Sequence, residues 1–377
     1  MQARVDIAIV GAGPVGLSLA AMLVARGIAP DKIALLDAKP LALATADPRS
    51  IAVSYGSREL LSTIPAWPTV ATPITQIHIS RRGSFGRTLI ESKDYDLPAL
   101  GYVCRYGDLV HALDAGMAKG LPVFRPATVI SLQAGDAYAV LGLSDGRELS
   151  AAVVVHSEGG VFGEQSAKTQ YRDYAQLAIT ATVHATSSPS GRAYERFTSE
   201  GPLALLPQAD GYAMVWCVAP TTAERLLAMD DPSFLNELQR AFGQRLGTLT
   251  LVGARHHYPL GLNAAPHTTP RTVAIGNAAQ TLHPVAGQGF NLGLRDAAVL
   301  AKMLARDLSA ATLAEFERQR QRDRSITVRL TDLMARVFAN GSDTGPSQRL
   351  LGLSLGALDL VPPAKRALAD QMMYGWR

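Results

Sequence analysis

Val5-Asp6-Ile7-Ala8-Ile9-Val10-Gly11-Ala12-Gly13-Pro14-Val15-Gly16 reads as a short buried strand running into glycines at G-x-G-x-x-G spacing. Leu17 to Arg26 then reads as an apolar helix ending at Gly27, a natural residue for a helix C-terminus. Ile33-Ala34-Leu35-Leu36 is a second strand, closed by Asp37, 21 residues past Gly16. Strand, glycine turn, helix, strand and acid together predict a dinucleotide-binding unit. Gly11 permits the tight turn, Gly13 lets a pyrophosphate approach the backbone, and Gly16 lets the helix pack close to the sheet. The helix N-terminus offers N–H groups to the phosphates, and Asp37 can accept from ribose hydroxyls. The pattern alone does not choose between FAD and NAD.

The same region carries nineteen uncharged residues, Ile7 to Ala25, the length of a membrane span or signal segment. The Gly-Ala-Gly-Pro-Val-Gly run inside it would break a spanning helix early, so a soluble reading is preferred. At 377 residues the chain suggests two domains, or one large domain with an inserted lobe. Hydrophobic residues at 47% and charged residues at 18% exclude global disorder. A net charge of +4 does not call for a nucleic-acid partner. The two cysteines, Cys104 and Cys217, lie far apart without metal-ligand spacing. No metal is expected, and two thiols in such a chain fit a reducing compartment.

Beyond the first unit, Thr45 to Ser62 contains Asp47-Pro48-Arg49-Ser50 followed by an apolar-patterned helix. Ile74 to Ile79 alternates like a strand, and Arg105 to Ala118 reads as a helix. Ala151 to Val155 is a buried strand of the parallel type, with Glu158-Gly159-Gly160 after it. From Tyr171 to Val218 the pattern turns to strands broken by Gly, Pro and Ser. Ala223 to Phe242 reads as helix, Arg271 to Ile275 as a buried strand, and helical pattern runs from about Asn291 through Phe338. The expected class is α/β: a discontinuous dinucleotide domain interrupted by a β-rich lobe.

Gly276-Asn277-Ala278-Ala279-Gln280-Thr281-Leu282-His283-Pro284-Val285-Ala286-Gly287-Gln288-Gly289-Phe290-Asn291 is a second glycine loop opening a helix. Two such sites suggest one long ligand bound at both ends. With Leu292 to Asp296, Asp47 to Ser54, Tyr194 to Thr198 and Gly201 to Ala204, this loop resembles the class A FAD-dependent aromatic hydroxylases, the para-hydroxybenzoate hydroxylase-like family. The resemblance covers nearly the whole chain. It is closest to the ubiquinone-biosynthesis branch and its polyprenyl-methoxyphenol hydroxylases.

That resemblance implies a Rossmann-like FAD-binding domain of the glutathione reductase type, an inserted β-rich substrate domain and a C-terminal helical region. The implied boundaries are 1–72, 100–170 and 261–320 for FAD, 73–99 and 171–260 for substrate, and 321–377 for the helical region. It implies that NAD(P)H, NADPH favoured, reduces FAD, and that reduced flavin and dioxygen give a C4a-hydroperoxide that hydroxylates a polyprenylated methoxyphenol. Carried over residue by residue, Gly11, Gly13, Pro14 and Gly16 hold the pyrophosphate and Asp37 the ribose. Arg49 and Arg105 match arginines that contact FAD in relatives. Gly276-Asn277 stands where the broader family has Gly-Asp. Gly287, Gln288, Gly289 and Asn291 belong to the turn facing the flavin. Glu158-Gly159 replaces the usual Asp-Gly of a motif serving FAD and NAD(P)H.

Two alternatives stay open: an FAD hydroxylase of a soluble aromatic, and a catalytically weak flavin-binding subunit of the ubiquinone-biosynthesis complex. His283 and Pro284, on the flavin-facing loop, are the catalytic candidates, although His283 also fits a structural turn. Leu205, Trp216 and Val218 are candidates for the apolar wall over the flavin. His256 and His257 read as exposed or structurally bonded histidines. Arg318, Arg320, Arg322, Arg324 and Arg329 read as a solvated helix face paired with Glu315, Glu317 and Asp323, or as a contact for anionic lipid or a partner. Leu350 to Leu360 is an apolar stretch suited to docking. The expected setting is cytoplasmic, peripheral at the inner membrane, with complex subunits or a second copy of the chain as further partners.

Overall fold

A computed structural model describes residues 3–83, 87–158, 171–187, 190–209, 211–264, 268–339 and 361–375. The first elements follow the opening motif: β1 (Ala3–Val10), α1 (Pro14–Ala25) and β2 (Ile33–Leu36). Then come α2 (Leu41–Thr45), β3 (Ser50–Ser54), α3 (Tyr55–Leu61), β4 (Thr72–Ile74), β5 (Gln76–Arg81), β6 (Arg87–Glu91), β7 (Gly101–Arg105) and α4 (Tyr106–Ala115). β8 (Val123–Phe124), β9 (Val129–Ala134), β10 (Ala139–Leu143) and β11 (Glu148–His156) precede the long β12 (Tyr171–Ala185). β13 (Arg192–Phe197), β14 (Pro202–Gln208), β15 (Gly211–Val218), α5 (Pro220–Leu227), α6 (Asp231–Phe242), β16 (Leu249–Val252) and β17 (His256–Ala264) complete the second half of the lobe. β18 (Thr272–Ala274), β19 (Gln280–Thr281), α7 (Gln288–Leu304), α8 (Ala310–Ala339) and α9 (Pro362–Tyr374) close the chain.

One sheet runs β8-β2-β1-β11-β10-β9, with β18 also on β11. β8, β2, β1, β11 and β18 are parallel, and β10 and β9 turn back antiparallel. Parallel strands covered on both sides must be apolar throughout. Ile7, Ile9, Val153 and Val155 accordingly pack into the core with α1 and α7, while Ala8, Val154, Leu141 and Leu149 pack on the other side. A nine-stranded sheet runs β19-β17-β12-β15-β14-β13-β5-β6, with β16 also on β12. β3, β7 and β4 form a small third sheet.

Three sequence expectations change. Ile51 to Val53 are strand, paired with Tyr102 to Cys104 of β7, and the helix begins only at Tyr55, where the Ser54 side chain accepts from the Ser57 N–H. The helix expected over Ala223 to Phe242 is two helices. Asp230 caps the second by accepting from the Ser233 N–H at 2.9 Å, with a proline in its first turn, so the chain restarts there. The C-terminal arginines divide: Arg318, Arg322 and Arg329 keep the expected solvated face, and two turn inward. Arg320 and Arg324 are buried and meet Asp296, Asp323 and Glu317; Arg318 pairs at the surface with Glu315. Residues 350–360, like Gly159 and Gly160, lie outside the described residues.

Candidate functional site

The two glycine loops meet at the C-terminal ends of the parallel strands, where α/β sheets bind ligands. Gly16 is required by close approach: a Cβ there would overlap the Gly11 carbonyl oxygen. Val15 of α1 touches both Gly276 and Gly293, so the start of α1 lies against the second loop and α7. Neither α1 nor α7 has a side-chain cap or an acid in its first turn. Both therefore present free N–H groups and the positive end of the helix dipole. Gly287, at φ +58°, turns the chain into α7.

The residues fit a dinucleotide. A Cβ built on Gly13 would meet only the Tyr106 hydroxyl, at 3.0 Å, so the glycine leaves a shallow cradle before α1. Asp37 accepts from the Ala12 N–H at 2.7 Å and from the Lys39 N–H at 2.7 Å, which aims the carboxylate along the turn. Arg125, which no sequence motif marks, donates to the Ala12 carbonyl at 2.8 Å and to Asp37 at 3.3 Å. Its side chain is only 6% exposed. Glu158 is exposed at the end of β11, with its backbone against Gly11 and its carboxylate 3.7 Å from His156.

Arg49 is bonded to Asp47 at 2.6 Å and lies over the rings of Tyr106 and Tyr258. Burial would lower the guanidinium's titration, but Asp47 outweighs it and holds the charge firmly in place. Arg105 is exposed at the end of β7, opposite Ser50, so the register brings it beside Arg49. Asn291 was expected at the flavin but serves the protein. Its amide donates to the carbonyls of Ala52 and Gly287, and its oxygen accepts from the Ser54 N–H at 2.9 Å. The Gln288 side chain donates to the Met372 carbonyl of α9 at 3.2 Å. The turn is thus held from behind by β3 and α9.

His283 is buried, at 1% exposure. The Val285 N–H donates to Nδ1 at 3.2 Å, so Nδ1 carries no proton and Nε2–H donates to the Gln176 oxygen at 3.1 Å. Burial lowers its pKa to about 4. The ring is neutral, with both nitrogens engaged, and this geometry is that of a structural turn rather than a proton carrier. Pro284 instead lines a cavity of about 360 Å³ between the 277–284 loop and the nine-stranded sheet.

That cavity corrects the expected wall. Leu205, Trp216 and Val218 face α5 and α6 in a core with Phe234 and Leu238. Leu206 and Val215, one residue from Leu205 and Trp216, face the cavity with Ala213, Ala178, Thr180 and Thr182. Strand alternation fixes two faces, and α5 and α6 cover the bulkier one. His256, Tyr258 and Asn277 also line the cavity.

Comparison with known proteins then decides the family. A family model described as an FAD binding domain matches residues 154–330. Ubiquinone hydroxylase UbiL of Rhodospirillum rubrum is 34% identical over 98% of this chain and 89% of its own length. The chain belongs to the class A FAD-dependent aromatic hydroxylases, in the ubiquinone-hydroxylase branch. The 3-demethoxyubiquinol 3-hydroxylase of Escherichia coli is 30% identical over 92% of the chain and 93% of its own. In fold, the hydroxylase resembles the p-nitrophenol 4-monooxygenase PnpA of Pseudomonas putida, with TM-score 0.77, 16% identity and full coverage of both chains. FAD is its cofactor. No helix among the described residues is long and apolar enough to cross a membrane.

Proposed function

We propose that this flavoprotein hydroxylates the ring of a polyprenylated methoxyphenol in ubiquinone biosynthesis, with NADPH as reductant. The carrying observation is the cavity between the sheet and the 277–284 loop, lined by small apolar and hydroxyl side chains. About 360 Å³ suits one substituted ring. A polyprenyl tail would have to leave through its mouth, which favours work at a membrane surface. The two relatives named for ubiquinone chemistry support the substrate class.

Bound FAD would supply oxygen activation and transfer of one oxygen atom to the ring. Gly11, Gly13, Pro14 and Gly16 would cradle its pyrophosphate, Asp37 would take the ribose, and Arg49 and Arg105 would flank the cavity side. The uncapped start of α7, at Gly287 to Gly289, would stabilise negative charge on the bound group at that end. Ala178, Leu206, Ala213, Val215 and Pro284 exclude water from the reacting ring. In this reading the FAD domain comprises 1–72, 100–170 and 261–320, and the substrate domain 73–99 and 171–260.

The test is to record the visible spectrum of purified protein, then follow NADPH oxidation with and without 2-methoxy-6-prenylphenol and identify the product. A hydroxylated ring in step with NADPH use is expected. A flavin-loaded protein that yields only peroxide with this phenol would remove the substrate assignment. Coupled turnover with a soluble aromatic alone would favour the second reading.

A further inference from the structure

His256 and His257 are neighbours in β17, so the pleat sends their side chains to opposite faces. His256 pairs with Thr180 of β12 and lines the ring cavity; His257 pairs with Ile179 and lines a second cavity with Leu227, Asp231 and Arg255. Among the described lining residues of the ring cavity, only Arg49, His256 and Tyr258 can ionise, and no carboxylate is present. Arg49 has no acceptor and is committed to Asp47. Burial raises the Tyr258 phenol above its ordinary range, so at neutral pH it is a hydrogen-bond donor. His283 is neutral with both nitrogens engaged.

The geometry points to His256 as the proton acceptor for the ring hydroxyl of the substrate. This assignment rests on the hydroxylase reading above. The phenol O–H proton passes to the unprotonated nitrogen of His256, and the bonding pair stays on the ring oxygen. Phenol and imidazole become phenolate and imidazolium, with no change in oxidation state. The phenolate oxygen feeds electron density to the ortho and para carbons, which an electrophilic oxygen transfer needs. His256 is exposed at the cavity mouth, so the imidazolium can release its proton to water. Arg49, before β3, and Tyr258, on the same strand, are the ionisable groups facing this site. The lining residues of β12, β14, β15 and the 277–284 loop bring no charge. The Arg49 cation favours the phenolate product.

The experiment compares FAD-loaded wild type, His256→Gln and His257→Gln with 2-methoxy-6-prenylphenol. Hydroxylation is followed from pH 5 to 9, and proton release on phenol binding is read with an indicator dye in weak buffer. His256→Gln should keep its flavin and bind the phenol within a few-fold of wild type. It should lose the acid limb of the kcat profile and about 10²-fold in kcat, the usual scale for a lost general base. His257→Gln should match wild type. A wild-type pH profile in His256→Gln, or an equal loss in His257→Gln, would overturn the assignment while leaving the hydroxylase reading intact. A wild type that retains FAD and hydroxylates no phenol would overturn both.

Discussion

Asp296→Asn tests whether the buried ion network carries the stability of the cofactor domain. Asp296 has no exposed surface and accepts from Arg320 at 2.7 Å, Arg324 at 3.1 Å, Gln280 at 3.3 Å and the Gly276 N–H at 3.2 Å. Burial would raise its pKa, but the charges of Arg324 and Arg320 outweigh that and hold it below the ordinary 3.8. Neutralising it leaves two buried guanidinium groups sharing Asp323 and Glu317. Breaking a buried pair by removing one charge costs about 3–5 kcal/mol. The amide still accepts hydrogen bonds, so about 3 kcal/mol is the expected loss, a large share of a total of about 5–15. Urea unfolding followed by circular dichroism, at fixed excess FAD, measures it. Because the folded pKa lies below the unfolded one, the carboxylate's contribution is complete above the unfolded value and fades as pH falls through the folded one. The gap between wild type and variant should therefore be equal at pH 7 and pH 5 and shrink only below about pH 4. A gap under about 1 kcal/mol at pH 7 would refute the reasoning.

Gly13→Ala should fold and purify without the flavin absorbance, since a methyl group occupies the cradle before α1; full cofactor occupancy would place the pyrophosphate elsewhere. His283 titrates near 4 when folded against 6.5 in the free chain, so its unfolded form binds the proton first. Wild type should lose on the order of 2–3 kcal/mol between pH 6.5 and 4 from this group, and His283→Gln should show a flatter profile in that window. Ala213→Phe fills the ring cavity from β15 and should depress phenol turnover at least tenfold with flavin retained; unchanged KM and kcat would mean the ring binds elsewhere.

Local chemistry made much of the scaffold legible. The glycines of the opening motif and Asp37 lie within one β-α-β unit, and strand, turn and helix there obey short-range rules. The second loop was readable for the same reason. The Asp230 restart between α5 and α6 had a readable signal in Asp-Asp-Pro, because capping is local. Arg125 had none: the two-residue strand before it carries no pattern, and its partner Asp37 is 88 residues away.

The sequence by itself determined that a dinucleotide unit starts the chain, that a second anion-binding turn opens a late helix, and that a β-rich lobe stands between them. Only the tertiary structure decided which face of that lobe meets the loop. Alternation sorts Leu205, Trp216 and Val218 from Leu206, Ala213 and Val215, but it cannot say which set looks at the cofactor. That choice depends on where α5 and α6 pack. Likewise, Arg320 and Arg324 became internal because Asp296 of α7 lies against α8; Asp323, three residues from Arg320, was already within local reach. Long-range packing places such partners together, and residue type along the chain does not encode it one position at a time.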